Sequence, residues 1–114
     1  MNWGYHQILN LYRCDKDLMG VEHIKEVMTG VCKVVDMIPH GEPIADRFGE
    51  GRLEGNSGMM FIETSTITIH TDETEDRVFV DIFSCQDFNR KKSREYINKA
   101  FRAKIDTEVF MERG

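Results

Sequence analysis

Cysteine is scarce in this chain, and its pattern excludes more than it offers. Cys14, Cys32 and Cys85 are odd in number and no two of them form a C-x-x-C pair. That spacing argues against a disulfide framework and against structural zinc, and fits a reduced, cytoplasmic setting. The four histidines, His6, His23, His40 and His70, show no H-E-x-x-H or comparable spacing, so no metal is expected. Long apolar runs are missing too. Nothing approaches the ~20 residues that cross a bilayer, and the start M-N-W-G-Y-H lacks the shape of a signal peptide. Neither a membrane nor nucleic acid is expected as a partner: the net charge is −5, and the basic residues gather only at Arg90-Lys91-Lys92. That trio reads as the solvated first turn of a helix.

What remains is an ordinary globular composition, 40% apolar and 31% charged over 114 residues, which predicts one domain, residues 1–114. His6 to Tyr12 reads as a first strand with Ile8, Leu11 and Tyr12 as core contacts. Asp15 or Asp17 is placed to cap the helix after that strand. From Val21 the apolar residues fall at 21, 24, 27, 28, 31, 34 and 35, the spacing of a helix with one buried stripe. Gly30 inside it costs ~1 kcal/mol relative to alanine. Cys32, beside the stripe, reads as a small buried hydrophobe.

Met37-Ile38-Pro39 ends that pattern and leads into a short edge strand, proline being unsuited to a central one. His40 to Asn56 is the least regular stretch. Phe48 is its one aromatic, either a plug over the core edge or a platform for a flat ligand. Gly58–Glu63, Thr66–Thr71 and Arg77–Ser84 read as three strands, the second with Ile67 and Ile69 on one face and Thr66, Thr68 and His70 on the other. Asp72–Asp76 is a solvated acidic turn. Asn89 caps a second helix running to about Lys104, with Tyr96, Ile97, Ala100 and Phe101 inward, and Ile105–Met111 closes the fold. This order predicts an α+β two-layer sandwich, an antiparallel sheet with two helices packed on one face. The other face is left bare. If it carries Met59, Phe61, Ile62, Phe79 or Phe83, a homodimer is expected.

Four side chains in the central block are not needed to build a sheet: Ser57, Ser65, His70 and Cys85. Residues 65 and 70 are five apart and point to opposite faces of a straight strand, so they meet only if the chain bends near Ser65, where the apolar pattern breaks. Three strands side by side would then bring a nucleophile, a proton carrier and a thiol to one end of the sheet.

The block resembles S-adenosylmethionine decarboxylase of the short prokaryotic, pyruvoyl-dependent type. The matching motifs are Ser57-Gly58, Ser65, Ile69-His70-Thr71 and Asp81-Ile82-Phe83-Ser84-Cys85, all in register, with Tyr12-Arg13-Cys14-Asp15 similar to the family's strand-to-helix junction. The resemblance implies that the chain cuts itself between Thr64 and Ser65, giving residues 1–64 and 65–114. Ser65 Oγ attacks the Thr64 carbonyl, with Ser57 and His70 assisting, and Ser65 becomes a pyruvoyl group. It implies further that this carbonyl condenses with the substrate amine and takes up the electrons released as CO₂ departs, and that Cys85 returns a proton. S-adenosylmethionine is the implied substrate, Phe48 the residue stacking on its adenine, and the product the aminopropyl donor for spermidine. Two segments depart from the family's pattern. Thr64-Ser65-Thr66 stands for glutamate-serine-histidine, and Asp72-Glu73-Thr74 for tryptophan-proline-glutamate, so that Glu73 (or Glu75) is left to grip the ribose. The departures keep two alternatives in view: the same chemistry on arginine or ornithine, or a non-processing binding or regulatory relative.

Overall fold

The computed structural model describes residues 2–114. Six strands form a single sheet: β1 (Gly4–Tyr12), β2 (Ile44–Phe48), β3 (Gly55–Ile62), β4 (Ser65–Asp72), β5 (Arg77–Ser84) and β6 (Ile105–Arg113). Their spatial order is β2-β3-β4-β5-β1-β6 and each neighbouring pair is antiparallel. Two helices, α1 (Val21–Val34) and α2 (Arg90–Phe101), cover one face. The expected α+β sandwich is therefore the observed one.

Strand alternation decides which residues meet the helices. Leu9 and Leu11 of β1, Met60 and Ile62 of β3, Ile67 and Ile69 of β4, and Val78, Val80 and Ile82 of β5 are buried beneath them. α1 answers with Ile24, Val27, Met28, Val31 and Cys32, and α2 with Ile97 and Phe101. Burial pushes the Cys14 and Cys32 thiols up to about 11, with Asp76 adding to the effect at Cys14, so both are inert packing groups. Two glycines explain how closely the layers approach. A β-carbon on Gly58 would lie 2.6 Å from Ile24 Cγ2, where α1 crosses β3. One on Gly30 would overlap the Tyr96 hydroxyl, so the helix cost of Gly30 is offset by letting α2 dock.

Several local expectations are corrected. β1 starts at Gly4, and its inward residues are Gln7, Leu9 and Leu11, whereas Ile8 and Tyr12 are half-buried on the other face. Gln7 is tolerated inside because its amide meets Arg90 O, Glu108 and the Ser93 hydroxyl. Asp15 caps only a short 3₁₀ turn at Lys16–Leu18, and α1 begins after Gly20 with no side-chain cap. Pro39 makes a single bridge to Ile62; the edge strand lies later, at β2, inside the stretch read as irregular. Asn89 does cap α2, accepting from Lys92 N–H, but the helix stops at Phe101 because Arg102 turns left-handed at φ +52°. Ile62 faces the helices, so the bare face carries Met59 and Phe61 but not Ile62. Ile44, Val109 and Met111 extend that bare face at the two sheet edges. No helix among the described residues is long and apolar enough to cross a membrane.

Candidate functional site

β3 and β4 are joined by a two-residue loop, Glu63-Thr64, with Ile62 paired to Ser65. Two-residue hairpins favour turns whose central residues take positive φ, because only those match the right-handed twist of the strands. Neither Glu63 nor Thr64 does so. The mismatch falls on the next residue: Ser65 has φ +151°, a conformation that side chains rarely adopt. The bend expected from the break in the apolar pattern is thus a backbone distortion at the serine itself.

The peptide group before Ser65 is held from β5. Ser65 pairs with Ser84, and the backbone N–H of Cys85 donates to the Thr64 carbonyl at 2.8 Å. A donor aimed at a carbonyl oxygen polarises the carbon for attack and stabilises charge that develops on the oxygen. The side chain of Thr64 is held as well, its hydroxyl lying 2.8 Å from Oγ of Ser84, a buried residue. Sequence reasoning singled out the Cys85 thiol; it missed both the Cys85 N–H and Ser84. Their only signal was position, since residues flanking a candidate thiol at a strand end share its neighbourhood. Glu63 was missed too. It pairs with His40 at 2.8 Å, which brings a carboxylate and an imidazole to the hairpin from outside the Thr64-Ser65-Thr66 run.

Ser57 and His70 do come together. They are register partners across β3 and β4, and His70 Nδ1 lies 2.8 Å from Ser57 Oγ. The pair sits on the bare face, in a groove of about 230 Å³ lined by Ile44, Asp46, Phe48, Met59 and Thr68. Phe48 is 61% exposed at the end of β2, so its ring rims this groove instead of plugging the core. A larger groove beside α1 and Tyr96 holds none of the four candidate side chains, and Glu22, Lys25, Glu26 and Lys33 make up half of its lining.

The expected cluster of four therefore divides in two within one chain. Ser65 and Cys85 lie at the hairpin end, whereas Ser57 and His70 lie five residues along β4, about 16 Å at the usual rise per residue. The distortion at Ser65 does not close that gap.

Residues 5–114 match the family model described as S-adenosylmethionine decarboxylase. The chain belongs to the S-adenosylmethionine decarboxylase family. It is 32% identical over 114 residues to the S-adenosylmethionine decarboxylase proenzyme of Thermoanaerobacter sp. (strain X514), covering 97% of this chain and 88% of that one. The proenzyme of Clostridium botulinum (strain Langeland) is 31% identical over 98 residues, 84% of this chain and 81% of its own. Among solved structures, the adenosylmethionine decarboxylase of Aquifex aeolicus superposes with a TM-score of 0.84 at 26% identity, covering 99% of this chain and 92% of that one.

For a member of the S-adenosylmethionine decarboxylase family, the departure after His70 has a visible consequence. Glu73 does not stand free over the groove. Arg47 Nη1 reaches it at 2.5 Å, while Arg47 Nε holds Glu54 at 2.9 Å, and the two carboxylates keep the guanidinium firmly charged. The edge strand that carries Phe48 is thereby tied to the β4–β5 turn. The hairpin, for its part, gathers several features at residue 65. The preceding carbonyl is already hydrogen-bonded by the backbone N–H of Cys85, the backbone is distorted at the serine, and Ser84, the residue before Cys85, is the serine's register partner.

Proposed function

We propose that the chain is a self-processing, pyruvoyl-dependent decarboxylase that cuts itself between Thr64 and Ser65 and acts on S-adenosylmethionine, giving the aminopropyl donor for spermidine synthesis. The observation that carries this reading is the Thr64 carbonyl, gripped by Cys85 N–H next to a serine at φ +151°. In the cut, a bond forms from Ser65 Oγ to the Thr64 carbonyl carbon while the bond from that carbon to the Ser65 nitrogen breaks. The hydroxyl proton passes to the nitrogen, leaving an ester. Loss of the Ser65 α-proton then expels Thr64 as a free carboxylate. One water replaces the nitrogen, which leaves as ammonia, and residue 65 becomes a ketone. Relief of the distorted backbone, of order 1–3 kcal/mol, favours the rearrangement.

A pyruvoyl group at residue 65 supplies the electron sink for decarboxylation. The chain's own residues do the rest. Cys85, whose backbone N–H reaches the Thr64 carbonyl, is the residue assigned to hold a proton for the substrate's α-carbon. Phe48 offers a face for the adenine at the groove, and Ser57 with His70 forms a hydroxyl–imidazole relay. Because that relay lies about 16 Å from its own Ser65, it serves a second copy. Two sheets stacked on their bare faces about a two-fold axis near Ile67-Thr68 bring the β3–β4 hairpin end of one to the stretch of β4 that carries residue 70 in the other. The apolar side chains there, Ile44, Met59, Phe61, Val109 and Met111, are what such a homodimer would bury.

One observation favours a variant of this reading. With Glu73 engaged by Arg47, the carboxylate left for a ribose is partly neutralised, and the same chemistry on arginine or ornithine becomes the competing assignment. Release of labelled CO₂ from each of the three substrates decides between them. Turnover of S-adenosylmethionine alone, abolished by Ser65→Ala, is the expected result; turnover of another amino acid, or of none, refutes the substrate assignment.

A further inference from the structure

We propose that Ser84 is a positioning residue for the self-cleavage: it anchors Thr64 so that the carbonyl under attack is presented to Ser65. The inference rests on the self-processing reading above and assigns a role to a residue which that reading does not use. Ser84 lies on the helix side of β5, 1% exposed, and its oxygen has three neighbours. They are Gln86 O at 2.7 Å, Gln86 N at 3.1 Å and Thr64 Oγ1 at 2.8 Å.

The supply of protons fixes the direction of each bond. The Gln86 carbonyl can only accept, so it takes the single Ser84 hydroxyl proton. The Gln86 N–H can only donate, and it points to Ser84 Oγ. The Thr64 hydroxyl is then left to donate into the second lone pair of Ser84. Thr64 is held at two points by consecutive residues, its side chain by Ser84 and its carbonyl by Cys85 N–H. Two fixed points on one residue leave its peptide plane little freedom to rotate. The direction from which Ser65 Oγ must approach the carbonyl carbon is set in advance. Threonine at this position, where the resemblance predicts glutamate, is thus matched by a hydroxyl built to receive it.

The test uses the full chain, followed by intact mass from synthesis onward. The variants are Ser84→Ala, Ser84→Thr and Thr64→Val, with melting temperature recorded for each uncut form. Ser84→Ala and Thr64→Val are expected to cut about tenfold more slowly than wild type, the effect of one lost hydrogen bond on a positioned group. Ser84→Thr keeps the hydroxyl and restores the rate to within about twofold; a cavity of about 70 Å³ beside Ser84 and Thr64 has room for the extra methyl. Should Ser84→Ala fail to fold, Thr64→Val carries the test, its side chain lying in the loop. Wild-type cutting rates in Ser84→Ala or Thr64→Val overturn the assignment alone, as does a Ser84→Thr chain as slow as Ser84→Ala. A wild type that never splits overturns the underlying reading and the assignment with it.

Discussion

Substituting Ser65 by glycine and by alanine isolates the backbone distortion from the chemistry. Both variants lack the hydroxyl, so both stay uncut and can be compared as intact chains. Alanine keeps a β-carbon at φ +151°. Glycine tolerates that angle, and relief of a residue held in so sparse a region is worth about 1–3 kcal/mol. Against this, glycine loses more backbone freedom on folding, about 0.5–1 kcal/mol. The balance centres on about 1 kcal/mol in favour of glycine, which for a domain of this size raises the melting temperature by about 4 °C. Thermal unfolding of the two variants at one protein concentration reads the difference directly, the concentration being fixed because the proposed dimer would melt in a concentration-dependent way. If alanine melts as high as glycine or higher, Ser65 is not strained, and strain is not the reason why this bond is the one to rearrange.

The same geometry bears on other measurements. Mixing differently tagged Ser65→Ala and His70→Ala chains should yield cut His70→Ala chains within mixed dimers, although His70→Ala alone cuts about 10²-fold more slowly than wild type; equal cutting with and without the partner shows that the relay does not act across a dimer. Gly58→Ala should destabilise the fold by about 1–3 kcal/mol in denaturant unfolding, because its methyl would press on Ile24 and Met28 of α1; an unchanged midpoint means the layers are less closely packed at that point. Burial works to raise the carboxyl of Asp106, but the Arg94 guanidinium and Asn98 amide outweigh it and hold its pKa below the ordinary value. A lowered carboxylate contributes stability that is present above about pH 4 and lost as the pH falls through the lower folded value. Asp106→Asn should therefore flatten the acid limb of melting temperature against pH, and an unaltered limb refutes the pairing.

The periodicity of the chain carried most of the architecture. Apolar spacing of three and four located α1 to within a residue, and alternation in β4 put Ile67 and Ile69 inward and His70 outward. β1 was harder. Its inward set includes Gln7, which no apolar pattern can flag because a buried amide is legible only through its distant partners Arg90, Ser93 and Glu108. β2 was hidden for a different reason. As an edge strand it is mostly exposed, so Ile44 to Phe48 shows no alternation and lies among glycines that read as loop. The candidate residues could be picked from the sequence, but their arrangement could not. Intervals along a strand tell which side chains share a face and how far apart they lie; five residues already separated Ser65 from His70, and the bend could change direction but not distance. Ser57 with His70 was recoverable from the hairpin register. The hold of Ser84 and Cys85 on Thr64 was not, because it depends on which end of β5 lies beside the β3–β4 turn.

Whether the chain makes its own reactive ketone from Ser65 is decided by the intact mass of freshly purified wild-type protein, with and without a carbonyl-reactive hydrazine. Two species are expected, residues 1–64 with a free carboxylate and residues 65–114 with a keto group in place of the amine, the second alone gaining the mass of the hydrazine. A single species of 114 residues that stays whole, or a second fragment that begins with an unmodified Ser65 amine and ignores the reagent, contradicts self-processing to a ketone.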